Sequence, residues 1–280
     1  MIMQFEGMNV LITGGATGIG RSTARRLAGL GARIYIADLD GAGAEATAAE
    51  LLGRGGRGFR CDVRQTGEVA ALRDAVLADA GTIDLLINNA AKPPVTGSLL
   101  ETDIEQWRDA LDVNLLGYIR IIQAFLPQML SRRSGHIVNT SSGLALLPDP
   151  PIRFMGPYIA SKGAQLATSY ALVHALSGTG ISVSVFCPGI TATSDRPGGT
   201  PPPIPGAPSL EEFRLGVPKR RTIRVSAEYA SDIFVEGLRR GDFLICSQIG
   251  YLPDLVAFAQ ANYDPFSIVR QAQEETAGTV

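Results

Sequence analysis

The chain is poor in the side chains that most often carry metal or nucleophilic chemistry: its 280 residues include two histidines and three cysteines. His136 precedes a strand-like run and His174 falls mid-helix, both structural positions, so a histidine triad or zinc site is not expected. The acidic residues are scattered and show no metal-loop spacing. Cys61, Cys187 and Cys246 sit singly in or at the ends of apolar runs, which reads as buried free thiols in a reducing compartment rather than disulfides. No apolar run reaches the roughly 18 residues of a membrane span, and no basic segment leads an apolar stretch at the N-terminus. A cytoplasmic protein with no membrane contact is the expectation. A formal net charge of −2 leaves no electrostatic footprint for nucleic acid.

What is present is a hydrophobic fraction of 45% with 19% charged residues, enough for one large core and too apolar for a disordered chain. Short β-like runs alternate with helical stretches. Val10–Ile12, Arg33–Ala37, Gly58–Cys61, Asp84–Ile87, His136–Asn139, Ile181–Phe186 and Phe243–Cys246 read as strands. Helical stretches fall at Ile19–Leu30, Ala42–Leu52, Glu68–Ala80, Ile104–Leu130, Tyr158–Leu176 and Ala227–Arg239. Pro127 is expected to disturb the last turn of the longest of these. The fold class this implies is α/β: a single doubly wound domain of Rossmann type, with a seven-stranded parallel sheet covered by helices on both faces. Neither a repeat nor a linker divides the chain. The segment of about 193–225 breaks the rhythm with Pro201-Pro202-Pro203-Ile204-Pro205, and its place after the sixth strand favours a substrate lid over a disordered loop.

Two local patterns suggest chemistry. Thr13-Gly14-Gly15-Ala16-Thr17-Gly18-Ile19-Gly20 follows the first strand and opens the first helix, where glycines let backbone N–H groups approach a pyrophosphate. Asp38 ends the second strand, where a carboxylate accepts the adenosine ribose hydroxyls and repels a 2′-phosphate, so NAD is expected over NADP. The alternative for Asp38 is a turn-forming role in Asp38-Leu39-Asp40-Gly41. Tyr158 and Lys162 are four residues apart on a helical stretch and so share a face. A cation beside a phenol favours the phenolate, which makes tyrosine a proton-transfer group near neutral pH. Taken alone, the pair could equally be a packed tyrosine and a solvated lysine.

Glycine loop, Asp38 and Tyr158-Ile159-Ala160-Ser161-Lys162 together resemble the short-chain dehydrogenase/reductase family, in its branch of roughly 250 residues. Further matches run in order: Asp62-Val63, Asn88-Asn89-Ala90, Asn114, Asn139-Thr140-Ser141-Ser142 and Pro188-Gly189-Ile190-Thr191-Ala192-Thr193. The resemblance implies hydride transfer between a nicotinamide and a carbinol or carbonyl carbon. It implies that Tyr158 moves the proton, Ser142 holds the reacting oxygen, and Lys162 assists Tyr158 and binds the nicotinamide ribose. Asn114 would hold a water linking Lys162 to solvent. Around NAD it implies Thr13, Gly14, Thr17, Gly18, Ile19 and Gly20 at the phosphates, and Asp62 and Val63 at the adenine. Asn89 and Ala90 would follow beside the cofactor, and Pro188, Gly189, Ile190 and Thr193 would hold the carboxamide.

Three departures qualify the match. Ala91 replaces a glycine usual after Asn-Asn-Ala; the Ser142-to-Tyr158 interval is long, which keeps Ser141 open as the alternative to Ser142; and about 247–280 forms a C-terminal extension. Leu144, Leu146, Leu147, Ile152, Phe154 and Met155 make the interval apolar. They would line a pocket for a hydrophobic secondary alcohol or ketone, or else merely pack the excursion. The apolar tail from Tyr251 to Phe266 is expected to cover the lid or a neighbouring subunit, and the resemblance implies a homodimer or homotetramer. Of the rivals, a non-catalytic NAD-binding protein has no need of the Asn114, Ser142, Tyr158, Lys162 set. An enoyl reductase spaces its Tyr and Lys more widely, and an epimerase brings a substrate domain absent here.

Overall fold

The structure, a computed structural model, describes residues 3–51, 55–94, 97–147, 155–193, 223–265 and 267. In chain order the first half runs β1 (Asn9–Thr13), α1 (Gly18–Gly29), β2 (Arg33–Asp38), α2 (Gly41–Glu50), β3 (Gly56–Arg60), α3 (Thr66–Ala80), β4 (Leu85–Asn88) and α4 (Ile104–Leu111). A π-helical turn (Asp112–Leu116) leads into α5 (Gly117–Arg132), β5 (Gly135–Thr140), α6 (Gly143–Leu146), α7 (Gly156–Ala175) and β6 (Ile181–Cys187). The remainder is β7 (Thr191–Ala192), β8 (Val225–Ser226), α8 (Ala227–Arg240), β9 (Leu244–Cys246) and α9 (Tyr251–Gln260).

Seven strands form one parallel sheet in the order β3-β2-β1-β4-β5-β6-β9. Strands β1, β2 and β4 are near-continuous apolar runs because both faces are covered, with alternate side chains serving alternate faces, whereas edge strand β3 carries Arg57 and Arg60 and is only partly buried. Val10 and Ile12 pack with Leu27, Ala230, Phe234 and Leu238 on one side. Leu11 packs with Leu72, Val76, Ile121 and Phe125 on the other. The strand order reverses between β1 and β4, and in open α/β sheets such a reversal opens a crevice at the carboxyl ends of the strands.

Several expectations are corrected in detail. The helix from Ile104 is interrupted by the π-turn carrying Asn114, and it continues through Pro127 to Arg132. Proline removes one N–H and so frees the carbonyl of Gln123, which is an exposed residue, and the helix tolerates it there. The third strand starts earlier, at Gly56, and α6 was not anticipated. Cys187 and Cys246, remote in sequence, are register partners on β6 and β9, both buried and neither in a disulfide.

The expected lid is bracketed by β7 and β8, which pair in parallel and bring its two ends together, while residues 194–222 lie outside the described residues. So do 148–154, with Ile152 and Phe154. The C-terminal extension packs through Phe258, Tyr251 and Leu255 against Leu146 and Leu147, which accounts for part of the apolar excursion as packing. No described helix is long and apolar enough to cross a membrane.

His136 sits in β5 at 5% exposure, its Nε2 2.9 Å from Ser184 Oγ. The Ser184 hydroxyl donates to Asp242 O at 2.7 Å, so the imidazole must donate through Nε2. Burial pushes the imidazole down to about 4. An unfolded histidine protonates near 6.5, so between about pH 6.5 and 4 the unfolded state binds the extra proton and folding stability falls with pH. Denaturant titrations across that window should show a loss of about 3 kcal/mol attributable to this group. His136→Gln should flatten that part of the slope, and an equal slope in the variant would refute the assignment.

Candidate functional site

The carboxyl ends of β1, β2, β4, β5 and β6 surround a cavity of about 710 Å³. At its floor is the turn from β1 into α1. Gly14 has φ +68°, and a Cβ there would stand 2.6 Å from Ala90 Cα, so only glycine lets this loop lie on the end of β4. Thr13 Oγ accepts from Asn89 N at 3.0 Å and Ala90 N at 3.2 Å, and Asn89 Nδ2 donates to Gly14 O at 2.8 Å. Helix α1 begins behind Thr17, whose side chain makes no capping bond, so its first-turn N–H groups are not occupied by the N-cap side chain. That arrangement suits an anion at the helix N-terminus.

Two carboxylates stand on the far wall. Asp38 Oδ2 accepts from Ala16 N at 3.0 Å and its Oδ1 from Asp40 N at 3.0 Å. Asp38 therefore braces the loop and also lines the cavity, so the two sequence readings of it coexist. Asp62 is gripped by the Arg64 guanidinium through Nε and Nη2, which holds its carboxyl below the ordinary carboxylate range.

The opposite wall is built by α7 and the end of β5. Lys162 is 1% exposed; its Nζ donates to Thr140 O at 2.8 Å and lies 5.5 Å and 5.8 Å from the ring centroids of Tyr118 and Tyr158. Among the described residues no carboxylate pairs with it, and burial pushes its amine down to about 7. The two serines separate by their bonds. Ser141 is fully buried and donates to Lys162 O at 2.7 Å. Ser142 caps α6, accepting from Leu144 N at 3.2 Å, and so keeps its own hydroxyl proton.

Asn114 is fully buried in the π-turn. Its Oδ1 accepts from Lys92 N at 2.7 Å and its Nδ2 donates to Ser161 Oγ at 2.9 Å, while Ser161 donates to Tyr158 O at 2.7 Å. Gln165 Nε2 donates to the Asn114 carbonyl. The asparagine thus ties the loop after β4 to the turn of α7 that carries Tyr158.

Of the catalytic and cofactor-binding residues singled out from sequence, all line the cavity except Thr13 and Asn114; of the apolar residues expected at a substrate pocket, Leu144 and Met155 line it and Leu146 and Leu147 do not. Arg64 and Gln248 also line it and were missed. Arg64 carries no motif, and Gln248 reaches the site only because β9 pairs with β6.

Residues 8–197 match the family described as short chain dehydrogenase. A 1-deoxy-11-beta-hydroxypentalenate dehydrogenase of Streptomyces exfoliatus is 35% identical over 204 residues, 71% of this chain and 73% of the relative. A D-threitol dehydrogenase of Mycolicibacterium smegmatis is 37% identical over 193 residues, 68% of this chain and 72% of the relative. The crystal structure of a short chain dehydrogenase/reductase from Burkholderia phymatum in complex with NAD superposes with a TM-score of 0.80 at 29% identity, covering 94% of this chain and 98% of that one. With its parallel seven-stranded sheet and its glycine loop at the reversal of strand order, the chain belongs to the short-chain dehydrogenase/reductase family of oxidoreductases.

Proposed function

We propose that the protein is an NAD-dependent dehydrogenase of a largely hydrophobic secondary alcohol, or a reductase of the matching ketone. The observation that carries this reading is convergence: Ser142, Tyr158 and Lys162 line one cavity whose other end holds Asp38 and the uncapped start of α1. The loop fits the cofactor, since Gly14, Gly18 and Gly20 line the cavity at the start of α1 and a Cβ on Gly14 or Gly20 would collide with the backbone packed behind it. When bound, NAD supplies the hydride acceptor, and every other part of the reaction falls to the chain's own residues.

Tyr158, as the phenolate, takes the hydroxyl proton of the alcohol and becomes the phenol, and a protonated Lys162 beside its ring favours the phenolate that acts as the base. Ser142 donates the proton it retains to the reacting oxygen, stabilising the charge that develops there. Asn114 acts as a clamp on Tyr158 through Ser161, since both ends of its side-chain amide are engaged by protein groups. Leu144, Met155 and Ile190 give the substrate end its apolar wall. Support for NAD over NADP comes from the Asp38 carboxylate at the cavity wall, while Arg60, its register partner on β3, is bonded to Glu68 and Arg64 to Asp62.

Three measurements bear on this. Tyr158→Phe should lower kcat by about 10²–10⁴ while NADH still binds, as read by fluorescence; near-normal turnover would remove Tyr158 from the chemistry. The wild type should turn over with NAD about tenfold or more better than with NADP, and Asp38→Asn, which keeps one acceptor oxygen and loses the charge, should narrow that ratio. A clear NADP preference in the wild type would refute the role of Asp38. The third concerns the cost of the buried amine. A free lysine holds its proton to about 10.4, so between about pH 7 and 10.4 the unfolded state binds the extra proton and stability rises with pH. Lys162→Met should therefore stabilise the cofactor-free protein by roughly 3–5 kcal/mol near pH 7 and less toward pH 10, while losing turnover. A variant less stable than wild type at pH 7 would contradict it.

A further inference from the structure

Strand β9 ends at Cys246, and the second residue after it, Gln248, lines the cavity. Gly189 N donates to the Ser247 hydroxyl at 3.3 Å, fastening this turn to the end of β6. Gln248 follows; it lines the cavity and is 8% exposed. Two glycines admit its side chain. A Cβ on Gly189 would stand 2.9 Å from the Cβ of Gln248, and a Cβ on Gly143 would stand 3.1 Å from its Oε1. The amide therefore lies against the residue that follows Ser142. The cavity lining also includes the apolar Leu144, Met155 and Ile190, and Lys92 directs its ammonium to Asp109 at 3.0 Å.

We infer that Gln248 is a specificity-determining residue that hydrogen-bonds a second oxygen on the substrate, so that the site takes vicinal diols and α-hydroxyketones ahead of simple alcohols and ketones. The inference rests on the dehydrogenase reading and adds a substrate class to it. A primary amide both donates and accepts, so it serves a hydroxyl or a carbonyl oxygen, and it carries no charge to draw a carboxylate. Its seat beside Gly143 places that second oxygen close to the one held by Ser142, on the neighbouring carbon. A hydrogen bond that one member of a matched pair makes with Gln248 and the other lacks discriminates between them by the net worth of that bond, about 1.5 kcal/mol or roughly tenfold.

The test uses two matched pairs: cis-cyclohexane-1,2-diol against cyclohexanol with NAD, and 2-hydroxycyclohexanone against cyclohexanone with NADH. Wild type should favour the doubly oxygenated member of each pair by about tenfold or more in kcat/KM. Gln248→Leu should reduce that ratio toward unity, chiefly through KM of the oxygenated member, because this contact serves ground state and transition state alike. Gln248→Glu, which keeps the acceptor oxygens, should restore part of it, and NADH binding by each variant shows that the site is folded. An absent preference in wild type, or a ratio that Gln248→Leu leaves unchanged, overturns the inference and leaves the dehydrogenase reading standing. Inert behaviour of these four compounds, alongside a substrate found in a wider alcohol panel, overturns it in the same way. Inertness toward every alcohol and ketone tried would overturn the dehydrogenase reading and this inference together.

Discussion

The site is organised around an amine that has been taken out of water. Lys162 is almost wholly buried, with a backbone carbonyl of β5 as its hydrogen-bond acceptor and two aromatic rings as neighbours. Isolated burial of an ammonium is costly, and here burial alone drives the amine toward its neutral form. The surrounding structure holds it in that position regardless. Ser141 is fixed to the Lys162 carbonyl, Ser161 to that of Tyr158, and Asn114 to Ser161. These bonds keep the first turns of α7 rigid against the end of β5, and a rigid support is what a proton-transfer group needs to meet its substrate in one geometry.

The same economy of parts appears at the nucleotide end. Thr13, Asn89 and Gly14 lace the carboxyl ends of β1 and β4 together where the strand order reverses, so the crevice has fixed walls. Asp38 serves twice, bonding two backbone N–H groups of its own neighbourhood while standing at the cavity. Residues that brace a loop and also present a charge to a ligand couple folding to binding, which is why removal of the whole side chain reports on both at once.

Much of this was legible in the chain. A buried parallel strand needs apolar residues on both faces, so runs such as Val10-Leu11-Ile12 and Leu85-Leu86-Ile87 declare themselves. The glycine loop and the Tyr158–Lys162 pair are local patterns, set by backbone approach and by helical spacing. Less legible were features that depend on which elements meet. Pro127 reads as a disruption, yet an exposed Gln123 lets the helix run on to Arg132. Ser141 and Ser142 are chemically identical neighbours, and only the packing of α7 on β5 gives the first to Lys162.

By itself the sequence determined the alternation of strand and helix, the apolar runs that form the sheet, and the identity of the groups able to handle a proton or a dinucleotide, because each depends on residue type and short spacing. Tertiary structure decided the rest: the burial that lowers the Lys162 amine, the register pairing of Cys187 with Cys246 across β6 and β9, and the arrival of Gln248 beside Gly143 more than a hundred positions away. Those outcomes depend on strand order and on the exclusion of water, neither of which is written in any local stretch of the chain.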